Sequence, residues 1–390
     1  MKKVFKTIVA TGLILATTTM SVFASNTSTG TALTVKDDLD YITDARYFKE
    51  ANVGDMFLNT NLGRGFNVAF AKQFSKFYLG TNVSGWFSGN KNENNKTSNG
   101  EVGGNFNVLI GLDNMGIGLK IGYGPSWNET SALKTNNNSF NIGARWGSSF
   151  AMSKFDLNPY VSFGYSYEGT KSDPKAGYTN KNVFSPFLGV DFVFGKGSNF
   201  ESILGITNDL SIYNTTNYDI NDEKTESTIN PDDYFNIYYK VNYKVNDKVE
   251  LGGKILISNH FDSYSYADGN GDVYKKTFNY YFNEWLDLGA KFNIVPSAFT
   301  VLAGTEIYLP GANVETITTG VGTAAENKKS TSGIYSRFGA SLYTGFVWNI
   351  TDNLKFDTSM TLPVFGSHSS TKIATNELFD SISVGLTYRK

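Results

Sequence analysis

The sequence predicts an all-β chain: a transmembrane antiparallel outer-membrane β-barrel of about sixteen strands, with fourteen as the alternative. Three observations predict it. Apolar residues alternate with small or polar ones at period two along most of the chain. The connections between these stretches alternate between short and long. No window after Ser25 holds the long uncharged apolar run that a membrane-spanning helix needs, whereas barrel strands are only half apolar and average out as polar.

The stretch from Val102 to Gly124 shows the pattern most clearly. Val102, Phe106, Val108, Ile110 and Leu112 share one parity, with Asn105, Asn107 and Gly111 between them. After Asp113-Asn114-Met115-Gly116 the chain resumes with Ile117, Leu119, Ile121 and Tyr123 against Gly118, Lys120, Gly122 and Gly124. This reads as a β-hairpin with one greasy face.

In chain order, residues 1–24 read as a secretory signal: Lys2, Lys3 and Lys6, the apolar run Ile8 to Ala16, then Val22-Phe23-Ala24 before the cleavage point. Residues 25–52 read as a periplasmic lead-in or a short amphipathic helix capped by Asp37 and reaching Phe48. Residues 53–390 read as the barrel. Gly54 to Leu62 supplies the first strand and Phe66 to Phe70 the second. Hairpin partners follow around short turns at Gln73–Lys76, Asp113–Asn114, Ser153–Lys154, Gly195–Asn199, Asn246–Lys248, Val295–Ser297 and Thr351–Asn353, and Leu378 to Tyr388 ends the set. The long connections are Ser88–Glu101, Pro125–Asn138, Gly169–Asn182, Asn214–Asp232, Phe261–Lys276, Pro310–Ser332 and Val364–Asn376. Short turns on one side and long loops on the other are the construction of an outer-membrane barrel, periplasmic and outside respectively. Strands of about 10 to 13 residues match a tilted bilayer span.

The inward parity carries Asn105, Asn107, Lys120, Arg145, Glu168, Asp191, Asp209, Lys240, Lys254, Asp287, Lys291, Glu306, Arg337, Lys355 and Asp357. A wetted lumen tolerates charges of both signs and lipid does not, so the charged members are pore-lining candidates, read first as a solvated and mutually paired wall. Trp86, Trp127, Trp146, Trp285 and Trp348 are expected near the two interfaces as girdles. At sixteen strands the barrel is wide enough for an aqueous lumen unless something fills it.

Composition narrows the function classes. Formal net charge is -2, and the three lysines of the first six residues make it -5 once the signal is removed, which is not the balance of a nucleic-acid binder. Cysteine is absent, so there is no disulfide, thiolate metal site or lipid-modified N-terminal cysteine. Histidine occurs only at His260 and His368, and no focused set of base, nucleophile and orienting group stands out, so no enzyme is expected. Asp268, Asn270 and Asp272 begin like a calcium loop, but Val273 stands where the sharp-turn glycine belongs and Asn279 where the bidentate glutamate belongs, which leaves only a weak metal candidate. No cofactor is expected. Glycine on the inward parity reads as relief of crowding.

The signal segment MKKVFKTIVATGLILATTTMSVFA, the lead-in LDYITDARYFKEANVGDMFLNTNLGRGFNVAFAKQF and the ending SISVGLTYRK together resemble the variable surface protein family of intestinal spirochaetes. The resemblance implies an abundant, surface-exposed outer-membrane antigen whose variants evade host antibodies. It transfers no molecular activity to any residue. The last strand also resembles a barrel-assembly signal through Ser383, Gly385 and Tyr388, departing from it by ending in Arg389-Lys390.

The expectation is therefore a surface-exposed barrel in outer-membrane lipid with a porin-like, water-filled pore for small hydrophilic solutes. Its long loops would meet host antibodies or surface ligands, and a homo-oligomer is left open. An adhesin with a plugged lumen is the alternative, and an outer-membrane enzyme the distant one.

Overall fold

A computed structural model of the chain describes residue 42 and residues 44–50, 57–62, 65–92, 97–130, 133–173, 177–268, 273–319, 326–330, 334–335, 339–365 and 382–389. The signal segment, Arg337 and the loop residues Asn270 and Asp272 lie outside these, so the expectations resting on them do too.

The strands are β1 (Phe57–Leu62), β2 (Gly65–Gln73), β3 (Tyr78–Asn92), β4 (Thr97–Leu112), β5 (Met115–Glu129), β6 (Lys134–Ser148), β7 (Phe150–Ala151), β8 (Asp156–Asp173), β9 (Tyr178–Phe194) and β10 (Phe200–Tyr218). They continue with β11 (Lys224–Asn246), β12 (Val249–Asp268), β13 (Val273–Val295), β14 (Phe299–Thr319), β15 (Glu326–Ser330), β16 (Ile334–Tyr335), β17 (Gly339–Thr351), β18 (Leu354–Phe365) and β19 (Ile382–Arg389). All pair antiparallel in one sheet, so the chain is all-β as the alternation predicts. Successive long strands are neighbours, with β7, β15 and β16 as short stretches on the flanks of β8 and β14. The first strand lies beside the second in one register and beside the last in another, Phe57↔Arg389 through Leu62↔Val384.

The hairpin of Val102 to Gly124 forms as expected, with the register Leu112↔Met115 through Gly104↔Tyr123, so that Met115 is already strand. Asp113 turns the corner at φ 47°, a left-handed conformation that aspartate tolerates and that two-residue hairpins require. One face of the sheet is apolar and open: Leu119 is 50% exposed and Ile121 46%, whereas Leu109, on the other face, is 0% exposed. Single-sided apolar exposure repeats around the sheet at Phe140, Phe163, Leu188, Ile237, Leu251 and Leu288.

Two expectations are corrected. Among the described residues the long connections are mostly strand; residues 366–376 lie outside them. Pro125 and Asn138, read as the ends of a loop, are cross-strand partners, as are Ser88 and Glu101. Between Asn214 and Asp232 the ladder continues to Tyr218↔Lys224. Strands β11 and β13 reach 23 residues each, about 76 Å along the chain at ~3.3 Å per residue. On β11 the open apolar parity runs only from Tyr243 to Phe235 and then meets Asp233. Nine residues tilted by about 40° cover roughly 23 Å, the height of one apolar band. The remaining length is a collar in which β11 stays paired with both β10 and β12; it is mostly polar, with Ile229 exposed among its residues, and so sparse an apolar set carries little period-two signal in the sequence.

The tryptophans divide between the faces. Trp127 and Trp348 are exposed on the apolar side, but Trp86 pairs with Gly103, on the parity of Leu109, and Trp285 pairs with Leu256 and Tyr308 on the opposite face. Facing partners in a ladder share a face, so these two are not girdle residues.

The collar reading is checked by hydrogen exchange: the amides of 213–218 and 224–230 are expected to be protected at least tenfold over free peptide, and loop-like exchange there would contradict it.

Candidate functional site

Residues 42–49 lie across the inner face of the sheet, at the end that carries the short turns. Asp44 organises them locally. Its carboxylate accepts from the Arg46 amide at 2.8 Å and its carbonyl accepts from the Phe48 amide at 3.1 Å, the arrangement of a helix N-cap, and a single 3-10 turn follows at Phe48–Glu50. Asp44 is thus a cap within the described residues; Asp37, read as the cap of a short helix or part of an irregular lead-in, lies outside them.

This short segment is nearly all covered: Ile42, Ala45, Tyr47 and Phe48 are each buried to 4% exposure or less. Ile42, Ala45 and Phe48 form one apolar cluster with Ala69, Ala71, Tyr78 and Leu109 from β2, β3 and β4, and Tyr47 forms a second with Val193 and Ile203 from β9 and β10. The Tyr78 hydroxyl donates to the Ile42 carbonyl at 2.9 Å, and Lys49 Nζ donates to Asn114 Oδ1 at 2.9 Å, at the β4–β5 turn. Glycines make the room. A Cβ at Gly80 would fall 1.8 Å from the Ile42 carbonyl oxygen, one at Gly111 2.2 Å from the Phe48 ring and one at Gly116 2.6 Å from the Ala45 carbonyl oxygen. The inward glycines therefore form a cradle for one piece of backbone.

Asp191, on β9, is the polar anchor and is 2% exposed. Its Oδ2 accepts from Arg46 Nη1 at 2.9 Å and from the Tyr47 hydroxyl at 2.5 Å, and its Oδ1 accepts from the Tyr238 hydroxyl of β11. Arg46 also holds Asp44 at 3.1 Å and lies 4.9 Å from the Tyr160 ring centre. Burial by itself would lower the Arg46 guanidinium, but Asp44 and Asp191 outweigh it and hold the group well above its ordinary value. Burial first, and then the Asp191 charge, push the Tyr47 phenol well above its ordinary 10.0, so it is a neutral donor.

The other expected lumen residues stand on this same inner face and are mostly paired. Lys254 Nζ meets Asp287 at 3.1 Å, Lys291 meets Glu250 at 3.6 Å, and the Tyr343 hydroxyl donates to Glu306. Lys240 lies 5.0 Å from the Tyr238 ring centre, Glu168 is opposite Lys181, and Lys355 and Asp357 stand opposite Asn349 and Val347. His260 is bonded to Asp232 at 2.5 Å and stacked between Tyr234 and Tyr281, at 4.0 and 4.9 Å. Asp268 ends β12. Lys120, Arg145 and Asp209 line a cavity of about 520 Å³ that Asp44 and Arg46 also reach. The docked segment itself was missed, although the run Asp44-Ala45-Arg46-Tyr47-Phe48 carries a cap, a cation and two aromatic residues.

No protein-family model matches the chain, and no characterised protein matches it in sequence. Among solved structures it is similar to the ferric yersiniabactin uptake receptor FyuA of Yersinia pestis, at 9% identity over 85% of this chain and 79% of that one, with a TM-score of 0.37. It is also similar to the siderophore receptor PiuA of Acinetobacter baumannii (8% identity, 87% of this chain, 82% of that chain, TM-score 0.40) and to CdiB of the same organism (8%, 86%, 60%, TM-score 0.44). No residue is transferred from them.

Two outcomes follow for the anchor. Because the chain has no cysteine, a spin label at Lys49→Cys reports docking alone. The label is expected to be immobile in the parent and mobile in Asp191→Ala, since removing one partner of a buried ion pair costs about 3–5 kcal/mol; an immobile label in Asp191→Ala would show that the apolar contacts suffice. Tyr47 has a raised folded-state value, so its contribution is complete below the ordinary 10.0 and is lost as pH rises through the raised value. Label mobility should therefore stay constant across neutral and mildly alkaline pH and rise only in strong alkali.

Proposed function

We propose that the chain is a surface-exposed outer-membrane β-barrel with a porin-like lumen, narrowed at its periplasmic mouth by residues 42–49. On this reading the sheet closes through the β1–β19 ladder, and with β7, β15 and β16 set aside as flanking stretches, sixteen strands of the nineteen form the ring. The observation that carries the proposal is the division of the faces: Phe106, Ile110, Leu119 and Ile121 stand open on one side, while the other bears Lys120, Arg145, Asp191, Lys254 and Asp287. A soluble sheet would cover that apolar side; lipid covers it without a second layer. Small hydrophilic solutes are the class such a lumen admits. The polar collars above the apolar band would be the surface that antibodies meet, in keeping with the resemblance to variable surface proteins.

The docked segment favours a second reading, an adhesin or host-interaction barrel whose lumen is plugged. Planar-bilayer recording of refolded protein separates the two. A pore gives stable ohmic steps that grow when residues 42–50 are deleted. A folded protein that is silent with the segment and conducts only without it would sink the pore and leave the barrel plugged by the segment.

The membrane placement has its own test. Ile121→Arg should destabilise insertion into lipid vesicles by about 2–4 kcal/mol, and Ser227→Arg, on the same face above the band, by less than about 1 kcal/mol. Equal costs would mean that lipid does not contact Ile121.

A further inference from the structure

The geometry points to a binding site for a small oxyanion, a carboxylate or a phosphate, between Lys120 and Arg145, directly above the docked segment. This deepens the lumen reading and rests on it, but does not require conduction.

Lys120 and Arg145 are diagonal neighbours on the inner face: Gly118 is opposite Arg145, and Gly143 is opposite Lys120. Both facing positions are therefore glycine, and no side chain separates the two cations. The Gly118 position is occupied by the arginine itself, since a Cβ there would lie 2.4 Å from Arg145 Nε. Two like charges on neighbouring ladder positions repel, and an anion between them would offset that repulsion. Arg145 Nε and Nη2 are covered and have no hydrogen-bond partner among the described residues. Covered nitrogens of a cation without acceptors are what a bound anion would satisfy, and a guanidinium presents its donors as a planar fork matched to carboxylate or phosphate oxygens.

The rest of the cavity is consistent with this ligand. Its volume is about 520 Å³, its floor is formed by Asp44 and Arg46, and Ser162 and Ser185 supply hydroxyls from β8 and β9. The acids that face it are two. Asp44 is held by Arg46 at 3.1 Å. Asp209, on β10, stands across the cavity and drives an anion to the β5–β6 side. Lys254 is paired with Asp287 and Lys291 with Glu250, whereas Arg145 keeps two covered nitrogens without an acceptor among the described residues.

The test is isothermal titration of refolded full-length protein in micelles with inorganic phosphate and, separately, with succinate. Folding of each variant is verified by heat-modifiable gel mobility. Saturable one-site binding of either anion is expected, at least tenfold weaker in Arg145→Gln and in Lys120→Gln, and unchanged in Lys134→Gln, a cation near the rim of β6. Folded parent protein giving no saturable heat with both anions would overturn the site, and so would binding that survives both Arg145→Gln and Lys120→Gln. Conductance is recorded on the same preparation, so a silent but anion-binding protein would count against the pore and not against this site.

Discussion

The hydrogen-bond ladder between neighbouring strands is what everything else in this molecule hangs on. Each long strand exchanges backbone bonds with a strand on either side, and the first strand finds its second neighbour in the last. With backbone donors and acceptors satisfied within the sheet, the side chains need not form a covered core, and the two faces can diverge. One became apolar and open, the other small, polar and charged. Leu119 and Ile121 stand about half exposed on the open face, and on the membrane reading proposed above the usual arrangement of a half-apolar strand, one face against a core and one in water, is inverted.

The division of the faces was legible in the sequence, because Phe106, Ile110 and Ile121 share one parity whichever side they face, and the short-long rhythm of the connections is what selects the outside on the proposed reading. The lengths of the strands were not legible. Pro125 and Asn138 are partners in a ladder, but from there to the strand ends Trp127 is the one large apolar residue, and so polar a stretch carries little period to detect. Parity speaks against a girdle role for Trp86, which shares its side of the strand with Tyr78 and Asn82, and the general preference of tryptophan for interfaces points the other way. Position is the stronger guide: its indole lies close over Gly103, where a Cβ would meet it at 2.5 Å.

The interior shows the complementary limit. Inward glycines were read as relief from crowding, which is right in kind but lacks the occupant. Gly80, Gly111 and Gly116 lie on three different strands, and Ala69 and Ala71 on a fourth, so no local window of sequence contains the set. They become one footprint only when the sheet brings them beneath Ile42, Ala45 and Phe48. The segment that fills the footprint is itself short and needs the wall for its order, since a single turn is far below the length at which a helix is stable by itself. Cap, cation and aromatic residues in Asp44 to Phe48 gave it the means to dock, and the wall supplied the reason.

Asp191 ties these two halves together. Its carboxylate is 2% exposed and accepts from Arg46 and Tyr47 of the segment and from Tyr238 of the wall, so the acid is acceptable in its position only while the segment is present. A buried carboxylate deprived of its guanidinium is costly unless water replaces it. Displacement of the segment therefore cannot leave a dry gap: water must reach Asp191 as Arg46 leaves. The same wetting would remove the floor that Asp44 and Arg46 provide beneath Lys120 and Arg145. Occupancy of the cavity above and docking of the segment below are in this way linked through one ion pair, and an anion that prefers the intact floor would by linkage hold the segment in place.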